Sequence, residues 1–215
     1  MIIPSCEEIL NISPRYDIIP LCREVYADVV TPITLLRRLA GRSKRFYLLE
    51  SIEGGEKWGR YSFLGYDPVM RVTCRKGTVK LESQVEGIPS QQIDTCNPLQ
   101  VLREILGLYK SPRLKGQPPF TGGFVGYFAY AMIGYAEPEL KISRGEANDY
   151  DLMLFDKVIA YDHLKQKIAI VVNMKTGSFG RAGASEPELV KTAGPNGREQ
   201  IPGAGRPEET GTWNI

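Results

Sequence analysis

Four polar residues in the stretch Arg45–Pro68, RFYLLESIEGGEKWGRYSFLGYDP, have types and spacing that suit recognition of a small molecule. The apolar run Phe46-Tyr47-Leu48-Leu49 ends in Glu50 and Ser51, and Arg60 and Ser62 lie on the run that returns after Gly54-Gly55. Side chains alternate across a strand, so Tyr47, Leu49 and Ser51 share one face, with Phe46, Leu48 and Glu50 on the other. On the return run Trp58, Arg60, Ser62 and Leu64 share a face opposite Tyr61 and Phe63. A hydroxyl at the rim of an apolar floor, beside a carboxylate and a guanidinium, suits an amphiphilic zwitterion. The floor takes an aromatic side chain and the rim takes amino and carboxylate groups. A core hairpin that merely ends in polar residues has the same pattern, and periodicity leaves both readings open.

Other chemistries are poorly supplied. With His163 the one histidine, a histidine-rich metal site or a histidine-based nucleophilic triad is nearly excluded, and DHLKQK reads as a hairpin turn that places His163 on the surface. Cys6, Cys22, Cys74 and Cys96 are far apart without a CxxC, as expected of free thiols in a reducing cytoplasm. Gly122, Gly123 and Gly126 match neither GxGxxG nor GxxxxGK[ST], so they read as room for a close strand rather than a phosphate cradle. The carboxylate pairs Asp149/Asp151 and Glu137/Glu139 flank turns, and spacing alone does not bring them together in a cleft. No catalytic residue and no metal ligand set is assigned. A balance of 27 Lys+Arg against 25 Asp+Glu offers no basic stripe for nucleic acid. No window approaches the apolar length of a membrane span, and MIIPSCEEIL lacks the basic and apolar regions of a signal peptide.

The elements that must position these residues follow from local signals. Ser5-Cys6-Glu7-Glu8 is a capping box that opens a short helix to about Ile12. Tyr16–Tyr26 is β-rich, and Pro20 marks it as an edge strand or a break. Thr31-Pro32 opens a helix with Ile33, Leu35, Leu36 and Leu39 on one face, stopped at Gly41. VMRVTCRKGTVKLES reads as two strands joined across Arg75-Lys76-Gly77, and Gly87–Cys96 as a polar loop. Asn97-Pro98 opens a second amphipathic helix through Leu99, Leu102, Ile105, Leu106 and Tyr109. The Gly-aromatic stretch from Gly122 is a strand closely approached by another backbone or a ligand. Asp151–Asp162 and Lys167–Asn173 form a hairpin around His163-Leu164-Lys165. The sum is an α+β architecture of predominantly antiparallel sheets packed as a sandwich, with a few flanking helices. Residues 177–215, rich in Gly, Pro, Glu and Ala, read as a loose tail.

LLES at 48–51, GRYSFLGYDP at 59–68, GGFVGYFAY at 122–130 and NDYDLMLFDKVIAYDH at 148–163 closely resemble, in the same order, the N-terminal region of anthranilate synthase component I, of the chorismate-utilising family. The resemblance runs from about Pro4 to about Thr176 and is shared less faithfully by aminodeoxychorismate synthase component I. It implies a cytoplasmic protein of tryptophan biosynthesis whose complete form makes anthranilate from chorismate and ammonia. A glutamine amidotransferase subunit supplies the ammonia, and Mg²⁺ is required. It also implies that residues 1–176 are a regulatory domain, incomplete and inactive without a chorismate-binding half that also carries the Mg²⁺ site. The LLES serine belongs to the site where L-tryptophan inhibits. Carried over, Ser51 is the effector contact, Glu50 and Ile52 are its neighbours, and Arg60, Tyr61 and Ser62 face it from the return strand. Ala131 stands where family members usually have an acidic residue. The folate-pathway relative and a catalytically dead amino-acid-binding module are the alternative readings.

Overall fold

The computed structural model describes residues 2–50, 59–137, 139–140, 142–143 and 145–177. The expectation of a loose tail concerns residues almost all of which lie outside that set. In chain order the elements are β1 (Ile2–Ile3), α1 (Cys6–Ile12), β2 (Ile18–Tyr26), α2 (Pro32–Ala40), β3 (Phe46–Leu49), β4 (Tyr61–Tyr66), β5 (Met70–Arg75), β6 (Thr78–Ser83), β7 (Gln91–Asp94), α3 (Pro98–Gly107), β8 (Gly123–Phe128), α4 (Ile133–Ala136), β9 (Tyr150–Phe155), β10 (Lys157–Asp162) and β11 (Lys167–Lys175). Six strands form one sheet in the order β1-β2-β11-β10-β4-β3, and five form a second in the order β7-β6-β5-β9-β8. Every pairing is antiparallel, as the α+β reading requires.

The helices begin where side chains can satisfy the free N–H groups of a first turn. Ser5 Oγ accepts from the Glu8 N–H while the Glu8 carboxylate accepts from the Ser5 N–H. Thr31 and Thr34 make the same reciprocal pair ahead of Pro32, and the Asn97 side chain accepts from the Gln100 N–H. α3 then buries Val101, Leu102 and Ile105 in one cluster with Met70, Val72, Val79, Leu81, Tyr150, Leu152 and Leu154 of the five-stranded sheet. Leu35, after the Thr31 cap, packs in a smaller cluster with Ala27, Tyr161 and Ile168 on the six-stranded sheet.

Two chain segments pass from one sheet into the other. β4 and β10 pair in the first sheet, β5 and β9 in the second, so β4–β5 and β9–β10 form one antiparallel ribbon bent at both corners. Gly65 opposes Val158 and Met70 opposes Leu154, which leaves residues 66–69 facing 155–157, one residue more on the β4–β5 side. An extra residue bends the strand that carries it, and Asp67 takes a positive φ of 47° in this corner. The opposite corner is held by Asn173. Its N–H and its Nδ2 donate to the Asp156 carbonyl at 3.0 and 2.9 Å, and Nδ2 also reaches the Thr121 carbonyl at 2.8 Å.

Three expectations are corrected. Residues 151–162 are not one strand of a hairpin: β9 and β10 lie in different sheets, because the apolar alternation runs through the corner at Asp156 without a break. The polar segment Gly87–Cys96 contains β7, whose residues 91–94 gain strand structure by pairing with residues 78–81 of β6. Pro20 lies within the nine-residue β2, which it does not break. β2 is second from the sheet edge, but β1 covers only Cys22 and Arg23, so the missing N–H faces no strand. The Pro20 carbonyl on that side accepts from Gln117 Nε2 at 2.6 Å.

The close approach expected at the glycine strand occurs at Gly126, where a Cβ would collide with the Asp151 carbonyl oxygen of β9. Backbone cannot yield as a flexible side chain can. Gly126→Ala is therefore expected to destabilise the fold by about 1–3 kcal/mol or more. Gly134→Ala, where a Cβ meets nothing within 4 Å, is expected to be neutral or slightly stabilising in α4. Urea unfolding of the two variants checks the contrast, and equal midpoints would remove the close packing of β8 on β9 as the reason for the glycine.

Candidate functional site

The strand β3 supplies the apolar run of the sequence reading, with Leu48 opposite Leu64 and Leu49 opposite Phe63 of β4. Glu50 follows directly and is exposed. Ser51 and Ile52 lie outside the described residues. Tyr47, on the face shared with Leu49, fits its ring edge-on against Phe155 at 4.7 Å and fills the space that a Cβ on Gly65 would occupy. Burial pushes its phenol well above the ordinary value, and its buried hydroxyl has no hydrogen-bond partner among the described residues.

The alternation expected on the return strand is present from residue 61 onward. Ser62 and Leu64 are fully buried, while Tyr61 and Phe63 stack at 5.8 Å on the other face and Phe120 meets Phe63 edge-on. Arg60 departs from it. Its guanidinium turns to Asp162, with Nε at 3.1 and 3.2 Å from the two carboxylate oxygens and Nη2 at 2.6 Å from one of them, and lies 5.0 Å from the Tyr61 ring centre. Asp162 Oδ1 also accepts from the backbone N–H groups of Leu164 and Lys165, both at 3.0 Å. Burial alone would raise the Asp162 carboxyl, but the hydrogen bonds from Arg60 and from these backbone groups outweigh it and hold the group below its ordinary value.

His163 is not the surface turn residue expected from DHLKQK. It is half-buried, its Nε2 lies 2.7 Å from Ser62 Oγ, and its N–H donates to the Arg60 carbonyl at 2.9 Å. The structure therefore brings Arg60, Tyr61 and Ser62 together with Asp162 and His163, a pair the sequence reading did not place there. Nothing in the local pattern marks them, because the contact joins residues about a hundred positions apart. As placed, the Arg60 guanidinium and the Ser62 hydroxyl are already engaged, and a ligand would reach Ser62 only by displacing the imidazole.

The remaining candidates do not converge. Asp149 is buried and accepts from Tyr135 Oη and the Lys76 N–H, both at 2.7 Å, whereas Asp151 pairs bidentately with Arg71. Glu137 and Glu139 are exposed. All four cysteines are free, and burial pushes the Cys74 thiol up to about 11. Among the described residues no three His, Cys, Asp or Glu side chains gather as a metal site, and no helix is long and apolar enough to cross a membrane.

No family model matches the chain, but sequences of individual proteins do. Anthranilate synthase component 1 of Acetivibrio thermocellus is 39% identical over 198 residues, covering 89% of this chain and 39% of that protein. The same-named protein of Pseudomonas aeruginosa is 36% identical over 171 residues, covering 77% and 34%. A crystal structure of anthranilate synthase component I from Streptococcus pneumoniae TIGR4 is similar at 25% identity and a TM-score of 0.42, covering 75% of this chain and 33% of that one. The matched proteins are thus a class of component 1 synthase chains much longer than this one. The chain belongs to the anthranilate synthase component I family, and it spans less than two-fifths of the length of the curated relatives it matches. A match over 89% of the chain cannot be contained in residues 1–176, so the similarity to the Acetivibrio protein continues past Thr176, where the sequence reading ended it.

A carboxylate held low in the folded state contributes stability that is complete above its unfolded value of about 3.9 and is lost as pH falls through the lowered folded value. The stability advantage of the parent over Asp162→Asn is therefore expected to be constant from pH 7 to about pH 5 and to shrink below about pH 4. Urea unfolding across this range tests it. An advantage that stays flat down to pH 3 would mean that the ion pair with Arg60 contributes nothing.

Proposed function

We propose that residues 1–176 are the N-terminal regulatory part of an anthranilate synthase component I and carry one wall of its L-tryptophan feedback site. Ser51 is the principal effector contact, flanked by Glu50 and Ile52, with Arg60, Tyr61 and Ser62 forming the facing arm. The observation that carries the reading is the 39% identity to a named component 1 over most of this chain. The apolar β3, followed directly by exposed Glu50, the glutamate of the LLES motif, supports it. In this reading the complete protein is cytoplasmic and converts chorismate and ammonia to anthranilate, with Mg²⁺ and the chorismate site in a second half. A glutamine amidotransferase subunit is its partner. In this reading residues 1–176 are inactive alone, because the chorismate and Mg²⁺ sites lie in the second half.

Inhibition in this scheme is a difference in affinity. Tryptophan shifts the enzyme toward an inactive arrangement only to the extent that it binds that arrangement more tightly. Loss of one buried polar contact to the ligand costs about 1–3 kcal/mol, which is roughly 5- to 150-fold in affinity. In the chain extended to the length of its relatives, Ser51→Leu is expected to raise the tryptophan needed for half-inhibition at least about tenfold and to leave anthranilate formation near normal. Steady-state fluorescence of anthranilate measures both, and an unchanged inhibition curve would remove Ser51 from the site.

A further inference from the structure

We infer that Asp162 and His163 form a clamp that positions the return arm of the effector segment, and that His163 is a positioning residue for that arm. The clamp stands on geometry alone, whereas its regulatory meaning rests on the tryptophan-site reading above. Among the described residues β3 pairs with β4 from Phe46 opposite Tyr66 to Leu49 opposite Phe63. Tyr61 and Ser62 lie beyond those pairs and oppose Asp162 and Tyr161 of β10. In the sequence, residues 51–58, which include Ser51, join Glu50 to this arm.

The two clamp residues grip the arm at three points. Asp162 takes the Arg60 guanidinium, the His163 N–H takes the Arg60 carbonyl, and the imidazole takes the Ser62 hydroxyl. The turn that presents them is itself fixed. Asp162 accepts from Leu164 and Lys165, and Gln166 Nε2 donates to the His163 carbonyl at 2.8 Å. Gln166 Oε1 accepts from Tyr161 Oη at 3.3 Å, and the Tyr161 ring lies 4.8 Å from the imidazole.

Ser62 is fully buried, so water cannot replace the imidazole as its partner without opening the strand end. A hydroxyl left unsatisfied in that position is costly, and the arm is expected to open locally rather than bear it. An arm held in place before the ligand arrives also spares binding the cost of ordering it. This is how His163 would act on an effector that it need not touch.

Amide hydrogen exchange on the full 215-residue chain tests the clamp. His163→Ala is expected to lower protection at residues 60–62 at least about tenfold, with β5 and β9 unchanged. His163→Gln, whose side-chain amide places a hydrogen-bonding atom near the position of Nε2, is expected to restore it. Should His163→Ala fail to fold, Ser62→Ala removes the same bond from the other side and is read in the same way. Equal protection at residues 60–62 in parent and variants overturns the inference. So does a loss that spreads equally to β5 and is not restored by glutamine. The regulatory consequence is read separately: in the extended enzyme His163→Ala is expected to raise the tryptophan needed for half-inhibition at least about fivefold. If exchange changes as expected but neither His163→Ala nor Ser51→Leu alters inhibition, the clamp stands and the tryptophan reading falls.

Discussion

The bent ribbon of β4–β5 and β9–β10 sets where everything else in this protein can lie. Each of its two segments must be a strand in both sheets, so the corners have to turn without leaving backbone groups unpaired. One corner achieves this with an extra residue and the positive φ of Asp67. The other leaves the Asp156 carbonyl to be satisfied by Asn173, on a strand that begins only after the next turn. Gly65 and the Tyr47–Phe155 contact sit beside the first corner, where a side chain on residue 65 would push the ring of Tyr47 away. The position of β3, and hence of Glu50 just after it, is set by this packing together with its ladder on β4.

Structure set by neighbouring residues was legible in the sequence. Ser5, Thr31 and Asn97 each cap the helix their local pattern announces, since a cap needs only an oxygen three residues from a free N–H. The hairpin across Arg75-Lys76-Gly77 was legible for the same reason, with Lys76 and Gly77 both at positive φ. The corner at Asp156 was not, because strand alternation continues through it and its cause is a side chain 17 positions later. β7 escaped notice because its strand character comes from β6 rather than from its own polar residues. The candidate site divides in the same way. The apolar run of β3 and the alternation of Tyr61 to Leu64 follow from the local pattern, but the partners of Arg60 and Ser62 come from another strand and carry no local mark.

Arg60–Asp162 and Arg71–Asp151 are similar bidentate pairs, one in each sheet, and both are part-buried. Fork-shaped pairing of this kind fixes orientation as well as charge. Arg71 ties adjacent strands of a continuous ladder, where backbone pairing already sets the geometry. Arg60 instead precedes β4, ahead of its first described pair with β10 (Tyr61 opposite Asp162), where the side-chain pair extends the constraint beyond the ladder. The same contact therefore has different consequences at the two sites.

That asymmetry bears on how a feedback site could work in this fold. A ligand contributes to a conformational shift only through contacts that differ between two arrangements, so the wall it binds must be able to change without melting the sheet behind it. β10 provides the fixed side, paired on both of its edges by β4 and β11. The end of β4 that carries Tyr61 and Ser62 is the side that meets the clamp. The turn that grips this end through Asp162 and His163 holds the arm against that fixed side. An effector that contacts this arm would meet it already anchored at Arg60 and Ser62, so the cost of moving it would fall on the clamp rather than on either core.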